Sequence, residues 1–147
     1  MIYLVDTNVL LRFGWRKDPQ HQLVRAAVRK LLQNGHQLAT TSQNCVECWN
    51  VATRPTANNG LGLNTVKANR LLALIERLFQ RHPDTDPIYL AWRKLVVTYG
   101  VSGRQVFDAR LVAAMQVTGI THILTFNTQD FTRYASIGIV AVDPTTV

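Results

Sequence analysis

The sequence predicts an α/β fold: a central, mostly parallel sheet of about five strands flanked by helices. Three observations carry this. Apolar runs of strand length recur at Ile2–Val5, Leu38–Thr41, His122–Phe126 and Ile139–Val142. Helix-length segments with their own start and stop signals separate them, and that alternation is the mark of parallel crossovers. No repeat, low-complexity tract or linker interrupts residues 1–147, so one domain is expected.

Taken in order, Ile2–Val5 reads as a buried strand. Asp18-Pro19 is a helix start, an N-cap followed by proline at the first helical position. That helix runs to about Gln33 and ends at Asn34-Gly35. Leu38–Thr41 is the second strand, and Ser42 caps a helix to about Thr53. The loop RPTANNGLG follows, rich in turn residues. Asn64 starts a helix through Ile75, and a short strand is expected at Arg77–Arg81. After the loop HPDTDP, a helix spans Pro87–Tyr99 and stops at Gly100. Gly103 precedes a helix from about Arg104 to Thr118. Strands at His122–Phe126 and Ile139–Val142 complete the sheet, with a short helix expected from Phe131.

Composition narrows the class. The chain is 47% hydrophobic and 17% charged, which fits a globular core rather than disorder. Net charge is +7, from sixteen Lys and Arg against nine Asp and Glu, spread along the chain rather than gathered in a tail. This excess favours a polyanionic partner. No stretch is apolar for long enough to span a membrane, and Asp6 interrupts the one candidate leader, so the cytoplasm is the expected location. Cys45 and Cys48 form a lone C-x-x-C in an apolar helix. With no second pair to complete a metal site, they read as small buried hydrophobes.

The placement of the acids is more informative. Asp6 stands inside the apolar run MIYLVDTNVLL, where an unpartnered carboxylate is costly. Asp18, Asp84, Asp86 and Asp143 lie by prolines in loops or caps, and Glu76 ends a helix. The rest fall at special places. Asp6 follows the first strand. Glu47 lies in the first turns of the helix after the second strand. Asp108 lies early in the helix that feeds the fourth strand, and Asn127 and Asp130 follow that strand. With right-handed crossovers, all these positions meet at the carboxyl edge of the sheet, where open α/β sheets bind ligands. Local alternatives exist. Gln43, Glu47, Asn50 and Arg54 form one polar helix stripe, Arg104 can pair with Asp108 at i,i+4, and Asp130 can cap a helix. Clustered carboxylates repel and take up protons unless a cation neutralises them. A hard divalent ion answers that need, and on a basic protein it points to phosphodiester hydrolysis.

These residues carry a family resemblance. VDTNVLL, ECWNVATRP, VFDARLVAAM and ILTFNTQDF, in this order and spacing, resemble the PIN-domain ribonucleases, and in particular the VapC-type toxins of toxin–antitoxin pairs. The resemblance covers nearly the whole chain. It implies a PIN-like, Rossmann-like three-layer fold and a Mg²⁺- or Mn²⁺-dependent endoribonuclease. By position, Asp6, Glu47 and Asp108 match the acidic triad, with Asp6 and Asp108 as direct metal ligands. Thr7, Asn8 and Thr125 match supporting polar residues. The fourth catalytic position falls to Asn127 or to Asp130. The resemblance also implies an RNA substrate, a homodimer, and a small antitoxin whose C-terminal segment covers the acidic pocket.

Other readings compete. A haloacid-dehalogenase-like phosphatase needs a second Asp two residues after the first, and Asn8 stands there. A flavodoxin-like receiver lacks its paired early acids and a late Lys. A catalytically silent RNA-binding or assembly module on the same fold has no use for Asp6, Glu47 and Asp108. Arg12, Trp15, Arg54 and Arg104 are the expected substrate contacts, whereas Trp49 and Trp92 read as core.

Overall fold

The structure, a computed structural model, describes residues 1–147. Its first strand, β1 (Ile2–Val5), stops at Asp6, whose extended backbone and carboxylate cap the helix that follows, α1 (Thr7–Gly14). Next come α2 (His21–Gln33), β2 (Gln37–Thr41) and α3 (Ser42–Thr53). The chain continues with α4 (Thr65–Leu78), β3 (Gln80–His82), α5 (Asp86–Thr98) and α6 (Gln105–Thr118). It closes with β4 (His122–Leu124), a 3-10 segment (Thr128–Ile137) and β5 (Val140–Val142).

All five strands are parallel, in the order β3-β2-β1-β4-β5. Alternate side chains of each strand point to opposite faces. Tyr3, Val5, Leu38 and Leu124 therefore enter a core with Val9, Leu10, Val28, Leu71, Ile75 and other residues of α1 to α4. Leu4, Ala39 and Ile123 enter a second core with α5, α6 and the 3-10 segment, where Ile88, Leu111, Met115 and Tyr134 are buried. The result is the expected three layers.

Several expected boundaries move, each for a local reason. Helix α1 is additional to the expected elements: beyond Asp6 the apolar run turns helical, with Val9, Leu10 and Phe13 on one buried face. Asp18 does not cap α2. It accepts from the Gln20 amide at 2.8 Å and closes a turn, and α2 begins at His21. Thr41, not Ser42, caps α3: its hydroxyl accepts from the Asn44 amide while the Asn44 side chain accepts from the Thr41 amide. Helix α4 runs on to Leu78, so β3 is Gln80–His82 rather than Arg77–Arg81. Asn64 does cap α4, through Lys67. The segment after Asn127 is a 3-10 segment from Thr128, and Asp130 does not cap it. Trp49 and Trp92 sit at the edges of the two cores rather than inside them.

Candidate active site

The strand order reverses between β1 and β4, so the chain diverges there and leaves a crevice at their carboxyl ends. Asp6 and Thr125 leave those two strands side by side, with the Asp6 amide donating to the Leu124 carbonyl at 3.0 Å. Asp6 is only 6% exposed. Its Oδ1 accepts from the Thr7 amide at 2.7 Å. Its Oδ2 accepts from the Thr125 hydroxyl at 2.7 Å and from Asn8 Nδ2 at 3.1 Å. Asn8 is locked in turn, because its oxygen accepts from the Phe126 amide at 3.2 Å. An amide so fixed is no general acid, which removes the phosphatase arrangement. Every partner of Asp6 is neutral, so its hydrogen bonds are met and its charge is not.

Helix α3 brings Glu47 to the same crevice. Its Oε2 accepts from the Thr7 hydroxyl at 2.7 Å, and its Oε1 from Gln43 Nε2 at 2.8 Å. Asp108, in the first turn of α6, is half-buried and makes neither hydrogen bond nor ion pair with any side chain. The expected Arg104–Asp108 bridge is not formed; the ion pairs are Arg12–Asp18 and Arg110–Asp84.

The electrostatics identify these acids as one group. Burial pushes the Asp6 carboxyl up to about 6; its hydrogen bonds oppose this, and the charges of Glu47 and Asp130 add to it. Asp108 is pushed up to about 7, first by burial and then by the charges of Asp6, Asp130 and Glu47, with Arg133 pulling the other way. Four carboxylates from four separate segments thus repel across one pocket. No three of them form a ready-made ligand set. Carboxylate oxygens are donors that suit a hard divalent cation, which takes one or two of them as direct ligands and completes its shell with water and phosphate oxygens.

The remaining sequence candidates lie as follows. Asn127 gives its amide to Thr125 Oγ1 at 3.0 Å, and its side chain is exposed. Asp130 is the acid at that edge whose charge reaches Asp6 and Asp108. Arg12 donates to the Asn8 carbonyl at 2.8 Å and lies over the Phe126 ring, at the rim. Trp15 sits at the far end of α1, against Lys17. Arg54 is seven residues beyond Glu47, about 10 Å along the helix at 1.5 Å per residue, and its guanidinium donates to the Asn59 carbonyl. Arg104 is exposed, just ahead of α6. Of the polar stripe, only Gln43 and Glu47 reach the pocket network. Sequence reasoning missed Arg133, the cation that acts on Asp108; it lies in the 3-10 segment, with no motif around it to mark it.

A model of the PIN domain matches residues 3–137. The chain belongs to the PIN domain family. No protein of curated function is significantly similar to it in sequence. Solved structures share this PIN fold over their full length. VapBC2 from Rickettsia felis, bound to a promoter DNA fragment, superposes with a TM-score of 0.72 at 13% identity, covering 97% of this chain and 98% of that one. VapBC-1 from nontypeable Haemophilus influenzae gives 0.70 at 16% identity, covering 99% of each. VapC20 from Mycobacterium tuberculosis, described as a Sarcin-Ricin loop cleaving toxin, gives 0.66 at 19% identity, covering 97% and 98%.

Proposed function

We propose that this PIN-domain protein is a divalent-metal-dependent endoribonuclease and the toxin of a toxin–antitoxin pair. The observation that carries it is the group of four carboxylates gathered at the sheet's switch point, two of them with pKa values pushed up by burial and by one another's charge. Such a group has an evident use in holding a cation against a phosphate. The net charge of +7 favours an anionic polymer as substrate. The toxin reading rests on the named relatives, which are VapBC complexes and a loop-cleaving toxin.

In this mechanism Asp6 and Asp108 would hold Mg²⁺ or Mn²⁺. The ion, when bound, polarises phosphate oxygens and makes water a better nucleophile. Glu47, fixed by Thr7 and Gln43, orients the attacking water and takes its proton. Asp130 adds negative charge that acts on both Asp6 and Asp108, and Asn127, just after β4, offers a neutral oxygen. Asn8 and Thr125 keep Asp6 in place. Arg12, Arg104 and Arg133 hold the RNA backbone, with Trp15 and Arg54 as outer contacts. The chain works as one domain in a homodimer, silenced by a small cognate antitoxin that covers the pocket.

The test is cleavage of a pool of structured and single-stranded RNAs with Mg²⁺, Mn²⁺ or EDTA, using wild type and Asp6→Asn side by side, both shown to be folded by circular dichroism. Metal-dependent cutting that Asp6→Asn abolishes is the expected result. Equal cutting by both proteins removes Asp6 from the mechanism. No cutting on any pool shifts the assignment to a silent RNA-binding module.

A further inference from the structure

Glu47 is gripped by two chains of hydrogen bonds, each rooted in the protein frame and each ending on a different carboxylate oxygen. One runs from Asp84 through Arg110, which donates to Gln43 Oε1 at 3.1 Å, and Gln43 then donates to Glu47 Oε1. Gln43 also donates to the Phe107 carbonyl at 2.9 Å, one residue from Asp108. The other runs Thr41, Asn44, Thr7, Glu47.

The direction of that second chain is forced. A backbone amide only donates, so the Asn44 oxygen must face the Thr41 amide, at 3.1 Å, where it also receives the Thr41 hydroxyl at 2.7 Å. Asn44 Nδ2 is then the group that faces Thr7 Oγ1, at 3.1 Å. Thr7 Oγ1 accepts there, and its single proton goes to Glu47 Oε2. Asn44 is fully buried, so no water competes for the bonds it makes to Thr41 and Thr7.

We propose that Asn44 is a positioning residue of this site: through the Thr7 hydroxyl, it fixes the Glu47 carboxylate in the pocket. The same side chain closes the capping box of α3, so the start of the helix and the aim of its acid are set by one amide. Thr7 accordingly serves Glu47 through its hydroxyl, and Asp6 only through its backbone amide. The proposal takes the nuclease assignment of the pocket as its ground, and its test separates the two.

The experiment compares wild type, Thr7→Val, Thr7→Ser, Asn44→Leu and the double variant Thr7→Val/Asn44→Leu. Two quantities are read: kcat on a cleaved RNA, and Mn²⁺ affinity without RNA, from the electron spin resonance of free Mn²⁺. Losing a hydrogen bond to a charged group lowers kcat about tenfold in Thr7→Val, and Thr7→Ser restores most of it. Asn44→Leu lowers kcat about threefold or more when Thr7 is present and adds nothing in the Thr7→Val background, the non-additivity expected of a shared path. A merely structural role, through the lost cap, gives the same loss in both backgrounds, and that result overturns the proposal. Thr7→Val with wild-type kcat and Mn²⁺ affinity overturns it too, whether or not Asn44→Leu folds. If wild type cuts no RNA, the nuclease assignment fails and the relay is judged on Mn²⁺ alone. Because the Glu47 charge acts on Asp6 and Asp108, weaker binding in both Thr7→Val and Asn44→Leu, restored in Thr7→Ser and no weaker in the double variant, then upholds it. Wild-type binding in Thr7→Val, or additive losses in the double variant, overturn it.

Discussion

Replacing Asp6 by Asn should reverse its effect on stability between acid and neutral pH. Asp6 titrates at about 6 in the folded protein instead of 3.8. A raised carboxyl pKa means that the folded state holds its proton more tightly than the unfolded chain. Its favourable contribution is whole below pH 4 and drains away as pH climbs to about 6. At about 1.4 kcal/mol per pKa unit, the folded protein loses about 3 kcal/mol over that window. Asn never ionises and avoids this loss. It brings a different penalty, because all three partners of the Asp6 carboxylate donate: the Thr7 amide, the Thr125 hydroxyl and Asn8 Nδ2. However the new amide is turned, a donor faces its NH₂ group, which costs about 1–2 kcal/mol. Asp6→Asn should therefore be about 1–2 kcal/mol less stable than wild type at pH 4 and about 1–2 kcal/mol more stable at pH 8. Urea denaturation in EDTA at both pH values measures this. Millimolar Mn²⁺ should then stabilise wild type at pH 8 and leave the variant unchanged. A variant less stable by the same amount at both pH values refutes the reasoning, since Asp6 would then carry no buried charge to relieve.

Other outcomes follow from the same geometry. Mn²⁺ affinity, measured by calorimetry, should climb from pH 5 to pH 7.5 and level off above 8, as Asp6 and Asp108 lose protons near 6 and 7; a flat profile would count against them as ligands. Cys45 and Cys48 are buried, and burial pushes both thiols up, so a disulfide reagent should find no reactive thiol in the native protein and two in urea. At Gly60 a built Cβ falls 1.9 Å from the Arg54 carbonyl oxygen, a backbone atom that cannot swing aside. Gly60→Ala should lower stability by about 1–3 kcal/mol, with Mn²⁺ affinity intact, because this loop lies at the far end of α3 from Glu47.

Topology was the most legible part of the sequence, and through it the pocket. Asp6, Glu47, Asp108 and Asp130 converge because parallel crossovers bring the starts of α1, α3 and α6 to one edge, a rule that needs only the order of the elements. Helix α1 was hidden because Ile2–Val5 and Val9–Leu11 read as one apolar run broken by a charge, whereas Asp6 is the boundary between a strand and a helix. Asp18-Pro19 misled because an Asp carboxylate closes a turn as readily as it caps a helix. The Arg104–Asp108 pairing obeyed the i,i+4 rule and failed, because Arg104 is exposed ahead of α6 and a solvated ion pair of that kind gains little. The grip on Glu47 was out of reach. Gln43, Arg110 and Asp84 meet only once α3, α6 and the loop before α5 have packed, and no spacing records that.

The hydrogen bond from Thr125 to Asp6 joins residues 119 positions apart, and it bears on how the protein is made. Contacts of such high sequence separation form late and slowly, because the chain between them must first be gathered in. A chain emerging from the ribosome exposes Asp6 early, and the strand that holds Asp6 in place long after it. Until residues near 125 have emerged and β4 has slotted in beside β1, half of the crevice does not exist. With the nuclease function proposed above, a chain built this way would stay inactive during its synthesis: its acids remain scattered along an unfinished chain, and the crevice assembles only after the segments bearing Thr125 and Asp130 have joined it.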